Sequence, residues 1–147
     1  MKNIIKILFL CGIIIFMAFS CDDDEKPINP LIGTWKCIGF GTTESNEIKE
    51  LEPKNCNECY ILTFKEDGTI EGYTSTNEAV GEFEINLSTK ELQIINFSGI
   101  TEINELFDGK EYIETISNVN SYNTNSNDTL LLYYNHQNLY LIFNSVE

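Results

Sequence analysis

The side chains in this sequence with most chemistry to offer are five cysteines and a single histidine. Cys56-Asn57-Glu58-Cys59 has the C-x-x-C spacing of a dithiol. A redox dithiol needs that spacing at a helix N-terminus, where the dipole lowers a thiol pKa. Here it precedes the alternating run Tyr60 to Lys65, which has the period of a strand. A structural disulfide is therefore the expectation. Cys56 and Cys59 are close enough in sequence for their contact to be entropically cheap. Cys37, in an apolar strand beside Trp35, is expected to be reduced and buried like a small hydrophobe, and it is the alternative bridging partner. Zinc would need a fourth ligand, and His136, between Asn135 and Gln137, sits at the tip of a distant hairpin. Glu82 and Glu84 share the wet face of one strand, whereas paired glycosidase acids must face each other across a cleft. No G-x-S-x-G elbow or phosphate loop is present. We expect no catalytic residue, no metal ligands and no cofactor.

Cys21 has a different setting. Lys2 and Lys6 precede an apolar run from Ile7 to Phe19, followed by Ser20 and Cys21. A charged start, a short apolar stretch and a small residue before the cut mark a secretion signal, and the run is short of the roughly 20 residues that span a bilayer. Ala18-Phe19-Ser20-Cys21 resembles a lipobox, the processing site of lipoprotein signal peptidase, with Ala where Leu is usual in its first position. That resemblance implies that residues 1–20 are removed and that Cys21 carries the acyl chains, palmitate among them, that anchor the protein to a membrane. Asp22-Asp23-Asp24-Glu25 follows. This run resembles the acidic export signal of surface lipoproteins in Bacteroidetes. In enterobacteria an Asp in this position instead favours inner-membrane retention. Residues 21–30 are expected to form a lipidated acidic tether, and the outer membrane, with surface exposure, is the expected location.

The formal net charge of the chain is −14, and removing Lys2 and Lys6 with the leader takes it to −16. There is no arginine. Such a surface is repelled by phosphate backbones and anionic headgroups, which need Lys and Arg to neutralise them, so nucleic-acid binding is excluded.

Residues 31–147 are the length of one domain, large enough to bury a core without a metal or a disulfide framework. Leu31 to Phe40 opens it as a strand, and Gly41 to Asn55 reads as a long loop. Tyr60, Leu62 and Phe64 alternate with Ile61, Thr63 and Lys65 as in a half-buried strand, and Asp67-Gly68 turns the chain onto Ile70 to Thr74. Phe83, Ile85 and Leu87 give a strand with one wet face, which turns at Ser88-Thr89-Lys90 into Leu92 to Phe97. Asp108 and Glu111 have the spacing of a capping box. Tyr112, Ile113, Ile116 and Val119 then fall on one helical stripe. Asn118 to Asp128 reads as a weak edge strand plus loop. Leu130 to Tyr134 and Leu139 to Phe143 are continuously apolar, which predicts that both of their faces are covered, the second by the helix. The fold class expected is mainly β: a small antiparallel β-barrel or strongly curved sheet with one short packed helix.

Gly33-Thr34-Trp35 resembles the G-x-W of lipocalins, in which the Trp lies across the closed end of a barrel. The Arg that those families stack on the Trp is absent. The resemblance implies that Gly33 and Trp35 belong to a barrel-end core. Leu62-Thr63-Phe64, Asp67-Gly68, Asn77, Gly81-Glu82-Phe83, Glu105, Tyr112, Leu130 to Leu132 and Leu141 to Phe143 resemble in order the META domain of envelope lipoproteins, and also the small lipocalin-like lipoproteins of Bacteroidetes. The Cys before Asn in the META pattern is replaced by Ser75-Thr76. These resemblances imply a non-enzymatic envelope lipoprotein binding a small apolar or amphipathic ligand in a barrel mouth. A cavity-less interaction or envelope-maintenance protein of the META type is the alternative.

Overall fold

A computed structural model describes residues 27–45, 47–101, 103–125 and 128–146. Residues 1–26, which carry the leader, Cys21 and the acidic run, lie outside the described residues.

Among the described residues, nine strands and one helix follow one another as β1 (Gly33–Thr42), β2 (Ile48–Glu50), β3 (Ile61–Phe64), β4 (Thr69–Tyr73), β5 (Glu78–Asn86), β6 (Glu91–Gly99), α1 (Gly109–Ile116), β7 (Ser121–Asn125), β8 (Thr129–Tyr134) and β9 (Leu139–Val146). All pairings are antiparallel, in the order β2-β1-β3-β4-β5-β6-β7-β8-β9, and β1 also pairs with β9 along most of its length. The sheet thus curves until its ends meet, and no long outer edge remains on β9. The narrowest seam is β6 to β7, which meet in register only at Glu91 and Ser121. The chain between these two strands forms α1, which packs beside β6.

Side-chain alternation turns one face of each strand inward. Trp35, Leu62, Phe64, Ile70, Leu92, Leu130, Leu132, Leu141 and Phe143 are all buried there. Phe64 and Phe83 meet edge to face, with centroids 5.0 Å apart. A register shift between Cys37 and Gly39 re-aims the end of β1, so that Cys37 and Phe40 are both buried.

Four local expectations are corrected. The segment read as one loop from Gly41 contains β2, whose three side chains are all exposed and so leave no periodic trace. It exists because its backbone pairs with Gly39 to Gly41. Asp108 does not close a capping box: its backbone is close to helical (φ −85°, ψ 7°) and its side chain caps no helix amide. The carboxylate instead accepts from the Glu52 amide at 2.9 Å and from Lys49. β7 is no edge strand, since it pairs on both sides. Finally, β8 and β9 are not covered on both faces: Leu131, Tyr133, Leu139, Tyr140 and Ile142 are only half-buried, and α1 packs into the ring through Tyr112 and Ile116, which are fully buried.

Candidate functional site

The ring has two differently built ends. At the first, Leu31 enters fully buried, and the Trp35 indole N–H donates to its carbonyl at 2.8 Å. Gly33 between them is half-buried and has φ +131°, a conformation that side-chain-bearing residues rarely adopt. Its glycine is a backbone requirement; a Cβ there would meet nothing within 4 Å. A cleft of about 310 Å³ opens beside Trp35 between Ile32 and Val146.

At the other end, α1 and the segment before it close the ring. Tyr112 is fully buried, edge to face on Tyr60 at 5.2 Å. Its hydroxyl is the one buried side-chain polar atom without a hydrogen-bond partner among the described residues. Desolvation raises its pKa well above the ordinary tyrosine value.

Beside this helix the turn between β4 and β5 holds the Glu105 carboxylate. Thr74 Oγ1 lies 2.7 and 2.8 Å from its two oxygens, Asn77 Nδ2 donates at 2.6 Å and Ser75 Oγ at 3.2 Å. Thr74 and Asn77 are themselves buried. Asn77 also donates to the Ile103 carbonyl at 2.8 Å, and Thr76 Oγ1 accepts from the Leu106 amide at 3.1 Å. Gly109 fits beneath the clamp because a Cβ would collide with Glu105 Oε2 and Ser75 Oγ. Asn77 and Glu105 were picked out in the sequence only as members of an ordered pattern. The fold brings them into contact. Nothing in the spacing revealed Thr74 or Ser75 as partners.

The thiols form a third constellation. Cys56 and Cys59 are disulfide-bonded, with Cα atoms 5.4 Å apart, in a non-helical loop before β3. Cys37 is a free, buried thiol. Burial pushes its pKa far above the ordinary value, against smaller lowering effects from the Gly39 backbone and Lys36. The bridged loop turns three carbonyls onto the Lys36 ammonium: Cys56 O at 2.7 Å, Asn57 O at 3.4 Å and Cys59 O. Sequence gave no sign of this cage. Desolvation lowers the Lys36 pKa. A cleft of about 300 Å³ lies beside it, lined by Lys36, Cys37, Lys54 and Tyr60 among others.

His136 is exposed in the β8–β9 turn, at φ +57°. Glu82 and Glu84 are exposed on the outer face of β5. Glu82 and Glu84 line a cleft with Asp67 and Gly68, and His136 follows Asn135, which lines a cleft with Glu111 and Glu114 of α1. No group of three or more His, Cys, Asp or Glu side chains able to hold a metal was found among the described residues. No described helix is long and apolar enough to cross a membrane.

A curved antiparallel sheet closed into a ring around a buried apolar core, with one helix at an end: that is the class of domain these features define. The chain belongs to the family described as "Domain of unknown function (DUF4847)", whose model matches residues 31–145. It is similar to the crystal structure of a DUF4847 family protein from Bacteroides vulgatus ATCC 8482, with a TM-score of 0.62 at 20% identity, covering 78% of this chain and 92% of that one. It is also similar to the NMR structure of a protein from Burkholderia xenovorans, with a TM-score of 0.61 at 13% identity, covering 82% and 90%. At such identities the likeness is one of fold. No curated protein matches the chain.

Proposed function

We propose that this protein is a membrane-anchored envelope lipoprotein, held by acyl chains on Cys21 in the outer membrane, whose domain acts through its surface and without enzymatic chemistry. One observation carries the choice of surface over interior. The inside of the ring is occupied by its own side chains, from Trp35 and Phe64 to Tyr112 and Phe143, each no more than 4% exposed. A ring of this size can be filled completely by side chains. This favours the interaction reading, with its META-like resemblance, over a ligand held within a lipocalin-like barrel. The Asn77–Glu105 contact supports the same reading, since both residues belong to the ordered pattern of that resemblance.

The reading has two tests. Metabolic labelling with a palmitate analogue should mark the wild type and leave Cys21→Ala unmarked and released from membranes; equal labelling of the variant would sink the anchor. Native mass spectrometry of protein purified from its own cells should show the bare polypeptide plus acyl groups.

A second reading is favoured by the cleft beside Trp35, whose size is at the lower limit for small-molecule sites. Here a small apolar or amphipathic ligand binds at the ring's mouth, between Ile32, Trp35 and Val146. A stoichiometric apolar adduct in the native spectrum, lost in Val146→Asp, would establish this reading and displace the first.

A further inference from the structure

Between β6 and α1 the chain displays Ile100, Ile103, Leu106 and Phe107 with 55%, 59%, 55% and 65% of their surface exposed. Single exposed apolar residues are ordinary. Four within eight consecutive positions make a patch of the kind that marks an interaction site. Hydrogen bonds hold this segment in place: it is tied to the β4–β5 turn through Asn77, Thr76, Ser75 and Glu105. Glu78 extends the patch. Its carbonyl accepts from the Ile100 amide at 2.8 Å, and its carboxylate accepts from the hydroxyl of Tyr73, which is 48% exposed.

We propose that this segment docks a partner protein whose contact surface is apolar at its centre and basic at its rim. The charge around the patch selects that occupant. Glu58, Glu71 and Glu78 crowd the Tyr73 hydroxyl and raise its pKa, Glu78 most. At the far side Asp108 and Glu111 engage Lys49, and Lys110 lies 3.8 Å from Glu114, so both cations there face acids of their own. A second copy of this chain would bring like charges face to face across a symmetric contact. Anionic headgroups are repelled by the same field. A Lys- or Arg-rimmed apolar surface satisfies both parts of the site. The direction of display agrees. The described chain begins near Leu31 and Trp35, at the opposite end of the ring. Five residues separate Cys21 from Pro27, a span of about 20 Å when fully extended, so a chain anchored at Cys21 enters the domain at the end opposite the patch. The inference rests on the surface-acting reading proposed above.

The test uses the chain from residue 21 with Cys21→Ser, so that its result does not depend on lipidation. The probes are an amphipathic Lys/Leu helical peptide, its Glu/Leu counterpart, and vesicles of zwitterionic or anionic lipid. Saturable 1:1 binding of the Lys/Leu peptide is expected, with Kd raised about tenfold in Ile103→Ser/Phe107→Ser, a change of the size that central contact residues carry. Ile28→Ser, at the other end of the ring, should leave Kd unchanged. A circular-dichroism melt confirms that each variant is folded, and Leu106→Gln replaces the double variant if that one is not. No binding of the Lys/Leu peptide, equal binding by the folded patch variants, comparable binding of the Glu/Leu peptide, recruitment to either vesicle, or a dimer in sedimentation that the patch variants abolish would each overturn the proposal. Failure of palmitate labelling would remove the anchor and leave this result standing.

Discussion

The two ends of the ring are closed by different physics. Around Leu31 and Trp35 closure comes from burial, with one indole hydrogen bond fixing the ring's orientation. Around α1 the burial of Tyr112 and Ile116 is supplemented by a carboxylate held by three polar side chains and by two acids on one lysine. The difference shows what each kind of force is good for. Apolar burial scales with area and has no preferred direction, so it can fill an end but cannot dictate an outward-facing conformation. Directional hydrogen bonds can. At the helix end they hold Ile103, Leu106 and Phe107 out in water, where the hydrophobic effect alone would collapse them.

The largest expected effect tests the apolar end. Trp35→Ala should cost about 3–5 kcal/mol through lost transfer energy and the cavity left behind, read as a shift of the urea midpoint. A loss under about 1 kcal/mol would mean that the two ends are not held differently after all.

At the polar end, Glu105→Ala should cost about 1–3 kcal/mol, because Thr74 and Asn77 are buried and lose a charged acceptor. Its distinguishing mark is local: amide exchange at Ile103 and Leu106 should accelerate more than at Leu62 or Leu141. Uniform acceleration would show that the clamp is only general stability.

The interior shared by both ends predicts an alkaline limit. Burial raises the pKa of the Cys37 thiol and of the Tyr112 hydroxyl above their ordinary values of 9.0 and 10.0. Above those values the unfolded chain releases protons that the folded chain retains, so the contribution of these two groups is complete below pH 9 and falls as pH rises, partly offset by Lys36, whose lowered pKa has the opposite sign. The slope approaches about 1.4 kcal/mol per pH unit for each proton involved. Cys37→Ala should remove the part of the decline that begins near pH 9 and keep the later part due to tyrosine. An unchanged onset would mean that the thiol titrates normally.

The smallest effect is expected for Lys49→Ala. Its side chain is 54% exposed, so the pairs with Glu111 and Asp108 should contribute under about 1 kcal/mol and fade with added salt. A larger, salt-insensitive loss would make the helix end an ionic closure.

Much of this architecture was legible in the sequence, because period carries burial. The alternation of Leu62 and Phe64, the Asp67-Gly68 turn and the stripe of Tyr112 and Ile116 all survive in the structure. Continuous apolarity in β8 and β9 misled, because Leu131, Tyr133 and Ile142 are only half-buried, while the described helix turns Tyr112 and Ile116 into the ring. Capping chemistry misled where tertiary partners won: the Asp108 carboxylate went to the Glu52 amide, 56 residues distant. The Glu105 clamp and the Lys36 cage were illegible for the same reason. Each joins a side chain to groups 20 or more residues away, and no local rule reports such distances.

The position of β1 has a mechanical consequence. This strand is bonded on one side to β9, from Thr34 opposite Val146 to Thr42 opposite Leu139, and on the other to β3 and β2. A pull on the chain ahead of Gly33 is directed along the strand, so the ladders on both flanks share the load in shear instead of opening one rung at a time. Any force transmitted from the N-terminal side to the patch at the far end meets the domain where its backbone is most resistant to extraction.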